Sequence, residues 1–302
     1  MHTFIHSLSF LLLSLLLSSQ STAADNTTPL NVVVTIKPLH SLVASLMTGV
    51  KQPQLLLTSS QSAHHTNLRP SDYRKLAGAD IVFWAGASLE NFIPAIEKKH
   101  QGDTQYISLI KTNGLTLLPI RGKHEHKNHH SNHIDPHFWL STSNAKKIVS
   151  TITQTLIDAD ADNAFLYLHN KKQTLTHINL LTERLTRQLE KNTEPFITYH
   201  DAYQYFEKEF HLNRITSITL SEESTPSVKK IQSVKNLIAQ HKVKCIFFEA
   251  PTQPPIINKL LDDSHAQAIA LDAIGVDLNA GPDLWFDLLE NLSKQMTSCL
   301  QP

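Results

Sequence analysis

Residues 31–49 read NVVVTIKPLHSLVASLMTG. Three β-branched valines in a row, with no polar residue between them, describe a strand buried on both faces. Pro38 then fits the first turn of a helix, where a missing N–H costs nothing. Leu39, Leu42, Val43 and Leu46 recur at helical spacing, and Gly49 marks the helix end. An unbroken apolar strand feeding directly into a helix is the opening unit of a parallel α/β sheet.

The same alternation continues along the chain. QLLLT (54–58) is a second short strand and leads into the loop SSQSAHHTNLRPSD (59–72), where Ser71 and Asp72 can cap the next helix. IVFWAG (81–86), ASLENFIPAIEKKH (87–100) and QYISLI (105–110) repeat strand, helix, strand. From about Asp162 to Asn192 apolar residues recur at helical spacing with no Gly or Pro, which predicts one helix about 45 Å long. Strand–helix alternation resumes with PFITYH (195–200), RITSITL (214–220), KCIFFEA (244–250) and AQAIALDAIG (266–275), and DLWFDLLENLSKQMTSCL (283–300) closes the chain as a helix. The expected fold is α/β, with two Rossmann-like lobes on parallel sheets joined by one long rigid helix. Its boundaries are a signal peptide at 1–24, a first lobe at 25–160, a connecting helix at 161–192 and a second lobe at 193–302.

A chain of 302 residues can bury two cores. Hydrophobic content of 41% and charged content of 18% describe a globular protein. Lys+Arg and Asp+Glu balance at 27 each, so nothing predicts a nucleic-acid partner, which would need a basic stripe. Leu8–Leu17 is too short an apolar run to span a bilayer, and the small residues after it offer a cleavage site near Ala23 or Ala24. No Lys or Arg precedes that run, only His2, His6 and the α-amino group, a departure from the usual signal pattern. The expected product is a soluble exported protein without membrane insertion. Cys245 and Cys299 then read as a disulfide, or, if reduced, as two small buried apolar side chains.

Histidine is the compositional oddity, at 18 residues. Five fall in RGKHEHKNHHSNH (121–133), at His124, His126, His129, His130 and His133, in a polar stretch without apolar periodicity. That stretch reads as a solvated loop that either gathers metal weakly or serves as a spacer. Three others fall where α/β sheets present ligands, beyond the carboxyl ends of strands. His64 follows QLLLT, His137 sits in IDPHFWL, and His200 closes FITYH, the three being 73 and 63 positions apart. Three imidazoles with a fourth open or carboxylate position suit zinc. Taken alone, each is equally a loop histidine bonded at a helix start. His40 after Pro38 reads as packing, His65 as pointing away from His64, and Glu249 as holding a turn or an interlobe contact. Phe138, Trp139 and Trp84 read as core.

QSAHHTNLRPSD, IDPHFWLS, FITYHDAYQYFEKEF and IALDAIG resemble, in order, the four signature segments of the metal-specific solute-binding proteins of ABC importers, the cluster A-I family. Within it the likeness is greatest to the periplasmic zinc receptors, including a His-rich insertion before DPH and cysteines at 245 and 299. The resemblance implies that His64, His137 and His200 ligate Zn²⁺, the transported cargo, with Asp272 or a water as fourth ligand. It also implies a Cys245–Cys299 disulfide, a periplasmic location, partnership with a membrane permease and its ATPase, and no enzymatic activity. Ala63 stands where zinc receptors often carry an acid, so one oxygen donor is missing. A monomer is expected. The alternatives are a zinc-dependent hydrolase, for which no H-E-x-x-H or G-x-S-x-G occurs, and a periplasmic zinc buffer without a transporter.

Overall fold

A computed structural model describes residues 29–58, 68–100, 102–121, 134–219, 224–262 and 264–301. Residues 1–24, expected as a signal peptide, His64, His65 and all five histidines of the His-rich stretch lie outside these residues. The first lobe is built on β1 (Val32–Val34), β2 (Gln54–Leu55), β3 (Ile81–Trp84) and β4 (Gln105–Ser108), ordered β2-β1-β3-β4 and parallel throughout. The second lobe repeats the plan with β5 (Phe196–His200), β6 (Arg214–Thr219), β7 (Cys245–Glu249) and β8 (Gln267–Leu271), ordered β6-β5-β7-β8. Every residue of β1 and β3 is buried, which is why those strands carry no polar alternation.

In each sheet the first-entered strand has its successors on opposite sides, so the direction in which strands are added reverses between β1 and β3 and between β5 and β7. That switch point opens a crevice at the carboxyl ends of the strands, where ligands bind. α1 (Lys37–Leu46) starts with Pro38 in its first turn, and Gly49 just beyond it takes the positive φ of 83°. In α2 (Pro70–Ala77) Asp72 caps the first turn by accepting the Arg69 N–H at 2.9 Å, while Ser71 lies inside the helix. α3 (Ile93–Lys99) follows β3.

Two helices lie between the two sheets in chain order. α4 (Thr142–Ala159) was not separately legible in the sequence; Ser141 caps it by accepting the Asn144 N–H. α5 runs over Ala164–Leu189, slightly shorter than expected, because Ala161–Asn163 forms a separate 3₁₀ turn. Its 26 residues extend about 39 Å. The second lobe adds α6 (Gln204–Glu209), α7 (Val228–His241), α8 (Pro255–Leu261) and α9 (Leu284–Leu300). α9 packs on α1 and α5 as well as on β8, so it crosses from the second sheet to the first.

The main apolar core is continuous between the lobes. Val33 and Phe83 of the first sheet, Phe138 and Trp139 of the connecting segment, and Phe206, Phe247 and Trp285 of the second lobe belong to one buried cluster. A separate cluster, including Ile197, Ile218, Val234 and Ile257, seals the outer face of the second sheet under α7 and α8. Truncating one of these core side chains to alanine costs about 2–5 kcal/mol. Cys245 at the start of β7 is disulfide-bonded to Cys299 of α9, with Cα atoms 6.1 Å apart. Among the described residues no helix is long and apolar enough to cross a membrane.

Candidate metal centre between the lobes

His200 is the last residue of β5, and Glu249 is the last of β7, so both stand at the switch point of the second sheet. They meet there: His200 Nδ1 donates to Glu249 Oε2 at 2.9 Å. A carboxylate can only accept, so the ring proton sits on Nδ1 and Nε2 carries the ring's lone pair.

His137 reaches the same place from the connecting segment. Leu140 N–H bonds back to the His137 carbonyl, closing the 3₁₀ turn Phe138–Leu140, and that turn projects the imidazole. His137 Nδ1 donates to Asp135 Oδ1 at 2.8 Å, and the His137 backbone N–H reaches the same oxygen at 3.0 Å. The same reasoning places the His137 ring proton on Nδ1 and the lone pair on Nε2. The His137 and His200 rings stand 5.3 Å apart between centroids, at 72° to each other. Both residues are nearly buried, at 4% and 3% exposure.

Asp135 is held on its other side by Gln204 Nε2 at 2.9 Å, and its backbone carbonyl accepts the Tyr205 hydroxyl at 2.8 Å. Burial pushes the Asp135 carboxyl up, but the hydrogen bonds and charge from His137, with the bond from Gln204, more than offset this and hold it below its usual range. Nearby, Arg121 pairs with Asp201 at 2.8 Å and Glu207 at 2.7 Å, and Arg214 reaches Glu207 at 3.1 Å. Burial still pushes the Glu207 carboxyl up against both guanidinium groups, so desolvation outweighs the pairing there.

Asp272 follows β8. Its carboxylate accepts the N–H groups of Ile274 at 2.9 Å and Gly275 at 2.7 Å on Oδ1, and of Val276 at 2.5 Å on Oδ2. A carboxylate offers about four lone-pair directions, so these bonds leave one, on Oδ2. The carbonyls of the same turn, Gly275, Val276 and Leu278, accept Lys37 Nζ from α1 at 2.7–2.8 Å. Gly275 holds φ at 78°, and a Cβ there would come within 3.1 Å of Leu284 Cδ2, so the turn requires glycine.

The structure thus brings His137 and His200 together. Among the described residues no group of three or more His, Cys, Asp or Glu side chains forms a metal-ready set, and His64 lies outside those residues. The donor chemistry present, two imidazoles each fixed at Nδ1 by a carboxylate, matches the outer shell that zinc sites use. His40 packs as expected, its Nε2 against the Pro53 carbonyl at 3.0 Å, and burial pushes its pKa down. Phe138, Trp139 and Trp84 are buried. The sequence reading missed the roles of Asp135 and Glu249. The available signals were an acid two residues before a candidate ligand, and an acid closing a strand that neighbours another ligand-bearing strand.

Two doubly wound α/β lobes, with His137 of the connecting segment meeting His200 at a strand end of the second sheet, define a bilobal binding protein. The family model described as the periplasmic component A of the zinc-uptake complex, ZnuA, matches residues 32–299, and the chain belongs to that family. It is 33% identical over 305 aligned residues to the high-affinity zinc uptake system protein ZnuA of Brucella abortus, covering 89% of this chain and 91% of the relative. A crystal structure of ZnuA superimposes with a TM-score of 0.77 at 19% identity, covering 90% of this chain and 99% of that one. The Zn(II)-bound ZnuA-like domain of Streptococcus pneumoniae AdcA gives a TM-score of 0.73 at 19% identity, covering 90% and 99%. These last two establish the shared fold.

Proposed function

We propose that this protein is the zinc receptor of an ABC uptake system, capturing Zn²⁺ between its lobes and delivering it to a membrane permease driven by an ATPase. The first ligands are His137 and His200, with His64 as the third and Asp272 Oδ2 or a water as the fourth. Imidazole donors suit zinc better than harder ions such as manganese. Residues 1–24 direct export to the periplasm and are removed there. The His-rich stretch, His124, His126, His129, His130 and His133, gathers zinc at weaker sites. Family membership and the identity to named zinc uptake proteins support the transport role.

The observation that carries the reading is the convergence of His137 and His200 from different parts of the chain, each with a carboxylate on Nδ1. The test is metal analysis of mature protein purified without a His-tag, followed by titration against a competing chelator. One tightly held zinc per chain is expected, with manganese much weaker. Protein that arrives metal-free and competes poorly for zinc would contradict the proposal.

A further inference from the structure

Gln204 opens α6, four residues after His200, and is itself nearly buried at 7% exposure. Its Nε2 donates to Asp135 Oδ2 at 2.9 Å and to the Pro119 carbonyl at 3.1 Å. Asp135 Oδ1 in turn receives His137 Nδ1. A short path of covalent and hydrogen bonds therefore runs from His200 through the start of α6, Gln204 and Asp135 to His137. The next residue reinforces it: the Tyr205 hydroxyl donates to the Asp135 carbonyl at 2.8 Å and accepts the Leu118 N–H at 3.0 Å. One helix start thus grips the segment that carries the other histidine.

We infer that Gln204 is a positioning residue for zinc: by holding Asp135 Oδ2 it fixes which carboxylate oxygen faces His137, and so the tautomer and aim of that ring. The inference rests on the three-histidine reading above. Gln204 touches no metal. It acts through Asp135, and it ties the geometry of His137 to that of His200 before any ion arrives. Without it, Asp135 Oδ2 loses its buried partner, and the carboxylate is held only through Oδ1 by the His137 backbone N–H and ring, so its hold on the Nδ1 proton and on the ring's aim is loosened. The ligand must then be reordered on binding, which weakens affinity without removing a donor.

The test uses the full mature protein with Gln204→Leu and, as a second variant in case the branched side chain disturbs α6, the unbranched Gln204→Met. Zinc affinity is read by chelator competition, the His137 tautomer by ¹⁵N NMR of the metal-free protein, and folding by thermal unfolding, with His137→Ala alongside. The expected result is zinc binding weakened about tenfold, the low end of what losing an outer-shell partner costs a metal site, with His137 sampling both tautomers. Wild-type zinc affinity and an unchanged Nδ1–H tautomer in the Gln204 variants, even with a lowered melting temperature, would assign Gln204 to packing alone and overturn the inference. If His137→Ala loses tight zinc while the Gln204 variants keep it, the inference falls and the three-histidine reading stands. If His137→Ala also binds as wild type, both fall.

Discussion

His137 and His200 face each other with ring centroids 5.3 Å apart, yet one lies before the long helix α5 and the other after it. The helix, the continuous core and two polar seams hold them at that distance. One seam runs from Arg121 and Asp135 to α6. The other runs from Lys37 and Ser41 of α1 to the turn at 275–285, where Trp285 N–H donates to Ser41 Oγ and Ser41 donates to the Pro282 carbonyl. The spacing of the two imidazoles is therefore set by the fold.

Glu249→Gln is expected to weaken zinc binding about 10- to 100-fold, since loss of a ligand's outer partner has that effect on metal sites. The amide can turn its NH₂ toward His200 Nδ1 and favour the tautomer that places the proton on Nε2. Chelator competition measures the loss, and an affinity equal to wild type would remove Glu249 from the site.

The disulfide between β7 and α9 closes 54 sequence positions. The chain-entropy model gives about 4 kcal/mol for a loop of that length, an upper figure because native strain and residual unfolded structure subtract from it. Thiol titration of denatured, unreduced protein should find no thiols. Reduction should lower the urea midpoint while leaving zinc stoichiometry intact; two titratable thiols per chain would contradict the bridge.

Glu90 is fully buried at the switch point of the first sheet, accepting the Thr35 hydroxyl on Oε1 at 2.5 Å, the Ala85 N–H at 3.1 Å and the Gly86 N–H at 2.9 Å. Burial pushes its carboxyl pKa up, against the pull of those hydrogen bonds. Because the folded value is raised, the native state holds the proton more tightly than the unfolded chain. The contribution to stability is therefore complete below the ordinary glutamate range and is lost as pH rises through the raised native value. Its slope is at most about 1.4 kcal/mol per pH unit. Urea unfolding of metal-free protein across pH 4 to 8 should show this decline, and Glu90→Gln should lack it. Parallel profiles for the two proteins would show that Glu90 does not titrate with a raised value.

Much of this was legible in the sequence because buried parallel strands leave unbroken apolar runs. Val32–Val34, Ile81–Trp84 and Cys245–Phe248 announced the sheets, and the absence of Gly and Pro between Asp160 and Glu194 announced α5. The candidate ligands were legible through strand ends and through family likeness. Asp135, Glu249 and Gln204 were not, because their importance lies in pairing across 2 to 69 sequence positions. An acid closing a strand looks the same whether it holds a turn or an imidazole. The 3₁₀ break at Ala161–Asn163 was equally silent, since those residues tolerate either helix.

Pro119 and Ile134 pair as an isolated antiparallel bridge, so the chain enters and leaves the His-rich stretch side by side. Replacing residues 122–133 with a short glycine turn keeps Arg121 and its ion pairs. Zinc stoichiometry should fall from more than one to one per chain, with cleft affinity nearly unchanged. Loss of the tight site would place a histidine of the stretch among the cleft ligands, His133 first, since it lies four positions before His137.

The most direct measurement is the zinc-induced gain in stability of wild type beside His64→Ala, His137→Ala and His200→Ala. Zinc bound only to the native state adds RT ln(1 + [L]/Kd), about 4 kcal/mol at a thousandfold excess over Kd. Wild type should show that gain near neutral pH and a smaller one on acidification, because each ligand must shed its proton to bind. Each alanine variant should fold and lose most of the gain. A His200→Ala protein that kept the wild-type affinity and the full stabilisation would contradict a zinc site built on these three histidines.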